Sequence, residues 1–168
     1  RYHKLATRIS RALVLHQVTF RELYEAIDML ERSAIELAVA HHTGEDLDAL
    51  ADNVARTEAA LADPTRLSDL DAEFHALIAR ATGNRVLQWA REPAGLLLYS
   101  ATQPIFEAVP EAAPRLLEAH RQLLAALRAR GHTVQPQALA SGLHALQRLP
   151  GGWRAAADPR REGEVRGD

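Results

Sequence analysis

An aspartate and a histidine four residues apart, Asp71 and His75, are the first pair in this 168-residue chain whose types and spacing could do chemistry. On a helix, residues at i and i+4 lie side by side, so a carboxylate oxygen and an imidazole nitrogen can reach one cation. Around them Leu67, Leu70, Phe74, Leu77, Ile78 and Ala81 recur at helical spacing and mark a buried arc. At about 100° per residue, Asp71 falls at the edge of that arc and His75 one turn on, on the same side. The spacing also suits a hydrogen-bonded pair at a helix contact. His120 lies in the middle of a second stripe, Leu116, Leu117, Leu123, Leu124 and Leu127. A histidine there is buried and needs partners for both ring nitrogens. Either it is a core histidine bonded to backbone, or it joins Asp71 and His75 as three inward N/O donors around a divalent ion, with a position left open for water or ligand.

The other histidines point elsewhere. His41 and His42 close a helix, where a positive ring suits the dipole, and His3, His16 and His132 fall at termini or loops. No cysteine is present, which excludes disulfides, thiolate metal sites and cysteine nucleophiles. No nucleophile elbow, phosphate-cradling glycine loop, H-E-x-x-H or EF-hand loop occurs. The formal charge of −2 gives no excess of cations to neutralise phosphates, which argues against nucleic-acid binding by these residues alone. No apolar stretch is long enough to span a bilayer and no secretory signal is visible, so the cytoplasm is the expected compartment. The chain opens on Arg1 rather than methionine, as a fragment or processed product does.

The elements that must position these residues are all helical. Alanine and leucine dominate, and apolar residues recur at three- and four-residue spacing almost throughout. A short helix is predicted over Leu5–His16. Thr19 and Glu22 form a capping box that opens a second helix, to about His41, with a stripe of Leu23, Ile27, Leu30, Ala34, Leu37 and Ala38. Thr43-Gly44-Glu45-Asp46 stops that helix and caps a third, expected over Glu45–Leu61. A fourth starts at the Asp63-Pro64 cap, runs to Thr82 and stops at Gly83. Asn84 caps a long stretch to about Ala108 that Pro93 and Pro104 should kink or break. Trp89, Tyr99 and Phe106 on it are candidates for core or for a pocket wall. A turn at Pro110–Pro114 leads to a helix over Ala113–Arg130, ending at Gly131. A last helix is expected from Pro136 to about Leu149, followed by a disordered tail over residues 150–168. The fold class is therefore an antiparallel all-α bundle of six to seven helices.

The run Asp71-Ala-Glu-Phe-His75, then Ala81-Thr-Gly-Asn84, then Glu118-Ala-His120-Arg121 resembles the FCD effector domain of the FadR subgroup of GntR regulators. Leu23-Tyr-Glu25, Leu30-Glu31 and Leu37-Ala38 fit that family's first helix, and the resemblance covers Phe20–Leu127. It implies an effector-binding and dimerisation domain over residues 20–149, preceded by a linker helix over residues 1–19. It further implies a divalent metal, zinc, nickel or manganese, held by one Asp and three His beneath a cavity for small organic acids. The family works as a homodimer, and operator DNA is reached only through a winged helix-turn-helix that residues 1–168 do not contain. Carried over, Asp71, His75 and His120 take the first three ligand positions. Leu146 stands where the last histidine is expected, so His144, two residues away, is the candidate fourth ligand, although its helix phase turns it from the stripe of Leu139, Leu143 and Leu146. Ile27 stands where the family often has an arginine for the effector carboxylate.

The expected function is thus a ligand sensor rather than an enzyme. Two alternatives are a degenerate, metal-free dimerisation domain and a metal-dependent hydrolase, for which Glu73 and Glu118 are the candidate bases.

Overall fold

The computed structural model describes residues 2–129, and over them the chain forms six α-helices and no strand. They are α1 (Tyr2–Leu15), α2 (Phe20–His41), α3 (Gly44–Ala59), α4 (Pro64–Ala81), α5 (Arg85–Ala108) and α6 (Ala112–Arg128). The helix from Pro136, the tail, His132, His144 and Leu146 lie outside the described residues.

Each start follows from local chemistry. Thr19 and Thr43 accept from the backbone N–H groups of Glu22 and Asp46, whose carboxylates return a bond to the threonine backbone. These reciprocal caps satisfy donors that a helix start leaves open, typically stabilising by about 1 kcal/mol each. Asp63 caps α4 with Pro64 in its first turn, and Asn84 caps α5 through Val86 N–H and Leu87 N–H. Among the described residues, Gly83 carries the left-handed turn that needs glycine, at φ +67°.

Of the kink or break expected at Pro93 and Pro104 the break is overturned, and the turn expected over Pro110–Pro114 ends earlier. α5 is one helix that runs through both Pro93 and Pro104 rather than breaking at either. Each proline removes one backbone hydrogen bond, but α5 packs along α1, α2 and α4, and that burial outweighs the loss. Pro114 lies inside the first turn of α6 rather than in the preceding turn, where its missing N–H has no helical partner to lose.

α4 is the axis of the bundle and packs against α2, α3, α5 and α6. On one side Ala34, Ile35, Ala38, Leu50, Phe74, Ile78, Leu123 and Leu127 form the main core. On the other, Leu67, Ile105, Phe106, Ala112 and Leu116 form a second cluster, and Ile27, Ala94 and Leu98 a third. Phe106 is therefore core, whereas Trp89 is exposed. α1 packs on α5 and is fixed there by a buried hydrogen bond from the Ser10 hydroxyl to the Pro93 carbonyl, 2.8 Å. Among the described residues no helix is long and apolar enough to cross a membrane.

Candidate metal centre

α4 and α6 meet at Asp71, His75 and His120, all three buried, with one donor atom from each lying within 4.8 Å of the others. Asp71 Oδ1 stands 3.5 Å from His75 Nε2 and 3.3 Å from His120 Nε2. None of these three atoms, nor His120 Nδ1, has a hydrogen-bond partner. Unpaired polar atoms at such depth are costly, and here one from each residue gathers at a single point. A tetrahedron with metal–ligand bonds of about 2.0–2.1 Å has edges of about 3.3 Å, close to both separations. The donor set fits a divalent ion, which would satisfy one unpaired atom on each of the three residues.

The rings are held in place from behind. His75 Nδ1 donates to Glu31 Oε2 at 2.9 Å, which leaves Nε2 turned toward Asp71. A carboxylate on the far nitrogen of a ligating histidine fixes its tautomer and raises its basicity. Glu31 Oε1 in turn accepts from Arg91 Nε on α5. His120 is clamped differently: its ring stacks on Phe74, centroids 3.7 Å apart and planes 8° from parallel.

Charge states follow from these neighbours. Burial works against the ionised forms of Glu31 and Asp71, yet opposite charge prevails at both. Arg91 and His75 bring Glu31 from its ordinary 4.5 down to about 2, and His120 and His75 hold Asp71 well below the usual carboxylate range. Burial likewise opposes a charged His75, but Glu31 and Asp71 on either side outweigh it and raise its pKa to about 9. His120 goes the other way: burial dominates and lowers its pKa, so it is neutral near pH 7, the form a metal requires.

The donor cluster opens on a cavity of about 310 Å³ between α2, α4 and α5. Asp71, His75 and Arg91 line it together with Ser68, Thr102 and the apolar side chains of Ile27, Leu96 and Leu98. Trp89 and Phe106 are not on its wall.

Of the four residues expected from sequence as ligands, Asp71, His75 and His120 come together and His144 lies outside the described residues. His41 and His42 stay away from the cluster, donating to the carbonyls of Thr82 and Ala38. Glu73 pairs with Arg56, and Glu118 accepts from Gln122, so neither serves the cluster. Glu31 and Arg91 were missed, although each carries a signal of the kind that exposes His120. Glu31 falls between Ile27 and Ala34, and Arg91 between Leu87 and Ala94, at helical spacing within apolar stripes.

Comparison with known families gives one match: the model of the FCD domain covers residues 22–133, about two thirds of the chain. No curated protein and no solved structure matches.

Proposed function

This chain belongs to the FCD domain family, the regulatory ligand-binding domains of GntR-type regulators, and on that premise we propose that it senses a small carboxylate through a divalent metal. The observation that carries the reading is the set of buried donor atoms on Asp71, His75 and His120, without partners and beside a cavity. Asp71, His75 and His120 would hold the ion. When bound, it would supply positive charge and free coordination positions at the cavity floor for an acid.

The chain's own residues do the rest. Glu31 orients His75 and keeps its Nε2 directed inward. The apolar wall of Ile27, Leu96 and Leu98 excludes water and strengthens each charge interaction inside. Because α2, α4 and α5 all contribute to the wall, a guest there changes the packing of three helices at once. In a homodimer joined to winged helix-turn-helix domains, that change in packing is what operator binding would read, provided the ligand favours one packing over another. FCD domains are sensors rather than enzymes, and no carboxylate other than Glu31 and Asp71 is bonded into the cluster among the described residues.

The deciding experiment is elemental analysis of the purified, untagged protein beside a His75→Ala/His120→Ala double variant, with melting temperature followed on adding zinc, nickel or manganese. Near-stoichiometric metal that disappears in the double variant is expected. A wild-type protein that holds no metal, and whose melting temperature no added metal raises, defeats the proposal and leaves a metal-free dimerisation domain.

A further inference from the structure

Arg91 is the cation on the cavity wall. Its side chain is largely buried, and its Nε is engaged by Glu31. Among the described residues the two Nη groups carry no further hydrogen bond, and the guanidinium shares the cavity with Asp71 and His75. An arginine gripped through Nε still presents its Nη1–Nη2 edge, whose two parallel N–H groups match one carboxylate. One turn along α5, Gly95 leaves space beside the guanidinium: a Cβ there would stand 3.6 Å from Nη1, at ordinary contact distance. The guanidinium thus occupies, from α5, a role that Ile27 on α2 cannot fill.

A second polar feature stands on the same wall. Thr102 Oγ1 donates to Ser68 Oγ at 3.1 Å, both residues being buried. Ser68 has accepted one bond, and its own O–H has no acceptor among the described residues. A hydroxyl is both donor and acceptor, so one donor remains for a guest.

Charge and size narrow the guest. A divalent ion and Arg91 bring three positive charges against the two negative charges of Asp71 and Glu31. The excess matches one anionic group. A second carboxylate would lie against apolar walls, with Glu92 also lining the cavity, and would stay unpaired at high cost. The cavity, at about 310 Å³, is of the size that takes a small molecule.

We propose that the effector is a small hydroxylated monocarboxylate, its carboxylate shared between the ion and the Nη edge of Arg91 and its hydroxyl held by Ser68. This rests on the sensor reading above and specifies its ligand.

The test is calorimetric titration of the zinc-loaded full chain with 2-hydroxybutyrate, butyrate and succinate, zinc content being measured on the same samples. The expected order is 2-hydroxybutyrate tightest, butyrate about tenfold weaker for want of one hydrogen bond, and succinate weaker still. Arg91→Lys, which keeps the charge but loses the fork, should weaken 2-hydroxybutyrate by about tenfold or more. Ser68→Ala should abolish the difference between 2-hydroxybutyrate and butyrate. The proposal is overturned if succinate binds as tightly as 2-hydroxybutyrate, if Arg91→Lys binds like wild type, or if none of the three acids binds a chain that holds zinc. In each of these cases the metal site itself stands. Absence of zinc uptake defeats the sensor reading instead, and this proposal with it. The ranking of the three acids on wild type needs no variant, so a failure of Arg91→Lys to fold leaves the test intact.

Discussion

Glu31 divides one buried carboxylate between two cationic partners, His75 and Arg91, and the behaviour of the cluster turns on that division. Glu31→Gln keeps the shape while removing the charge that anchors both. Outer-shell carboxylates of this kind typically contribute 10–100-fold to metal affinity, so the variant should bind zinc about 10–100-fold more weakly in a chelator competition assay, with the helical content unchanged. Protons compete for the same atoms. His75, with its pKa raised from 6.5 to about 9, stabilises the metal-free fold fully below 6.5 and loses that contribution as pH rises toward 9. Glu31, lowered from 4.5 to about 2, contributes above 4.5 and is lost as pH falls toward 2. From these two groups the metal-free protein should melt highest between about pH 4.5 and 6.5, and His120, its pKa lowered by burial, gives up stability as pH falls below 6.5, which moves the maximum to the upper end of that window. A metal must displace the His75 proton, so zinc affinity should climb with pH up to about 9, and the stabilisation by zinc should grow across the range where the metal-free protein weakens. Melting curves with and without zinc at pH 5, 7 and 8.5 check this; equal zinc stabilisation at all three would refute the assignment of that proton. At this scale the sequence exposed three candidate ligands, because polar residues inside an apolar stripe stand out. Glu31 and Arg91 obeyed the same rule, but paired with each other across α2 and α5, which only a fold can reveal.

The helices themselves were readable wherever a cap announces them. Thr19, Thr43, Asp63 and Asn84 all cap as their spacing predicts. α5 was less legible, since local rules say that Pro93 and Pro104 should interrupt it and tertiary packing decides otherwise. Gly95 belongs to the same helix. A glycine inside a helix costs about 0.5–1 kcal/mol relative to alanine, and the Cβ position meets only the Arg91 guanidinium at ordinary contact distance. Gly95→Ala should therefore raise the melting temperature by about 1–4 °C with zinc uptake unchanged, as differential scanning calorimetry with parallel metal analysis will show. A lowered melting temperature would mean that the space beside Arg91 is required by the fold and not only by a guest.

Across the whole molecule, α4 joins the core to the cluster and α5 joins the cluster to α1. The bundle class was evident from composition and periodicity, but the docking of α1 on α5 was not, because it depends on one serine and one carbonyl 83 residues apart. Ser10→Ala should cost about 1 kcal/mol and speed amide exchange in α1, while exchange in α4 and α6 stays as it was. Uniform acceleration in all helices would show that the bond supports the entire fold rather than the α1 junction. The Ser10–Pro93 bond also has a mechanical consequence. It meets α5 two residues from Arg91, so α1 is seated on the stretch of helix that a guest would grip, and the rest of α5 extends beyond that point for about 23 Å at 1.5 Å per residue. A pivot placed there has a long arm. Tilting it by about 5° would sweep the far end through about 2 Å, the scale on which helices shift when regulatory proteins change state, so a molecule of a few atoms has enough leverage without unfolding anything.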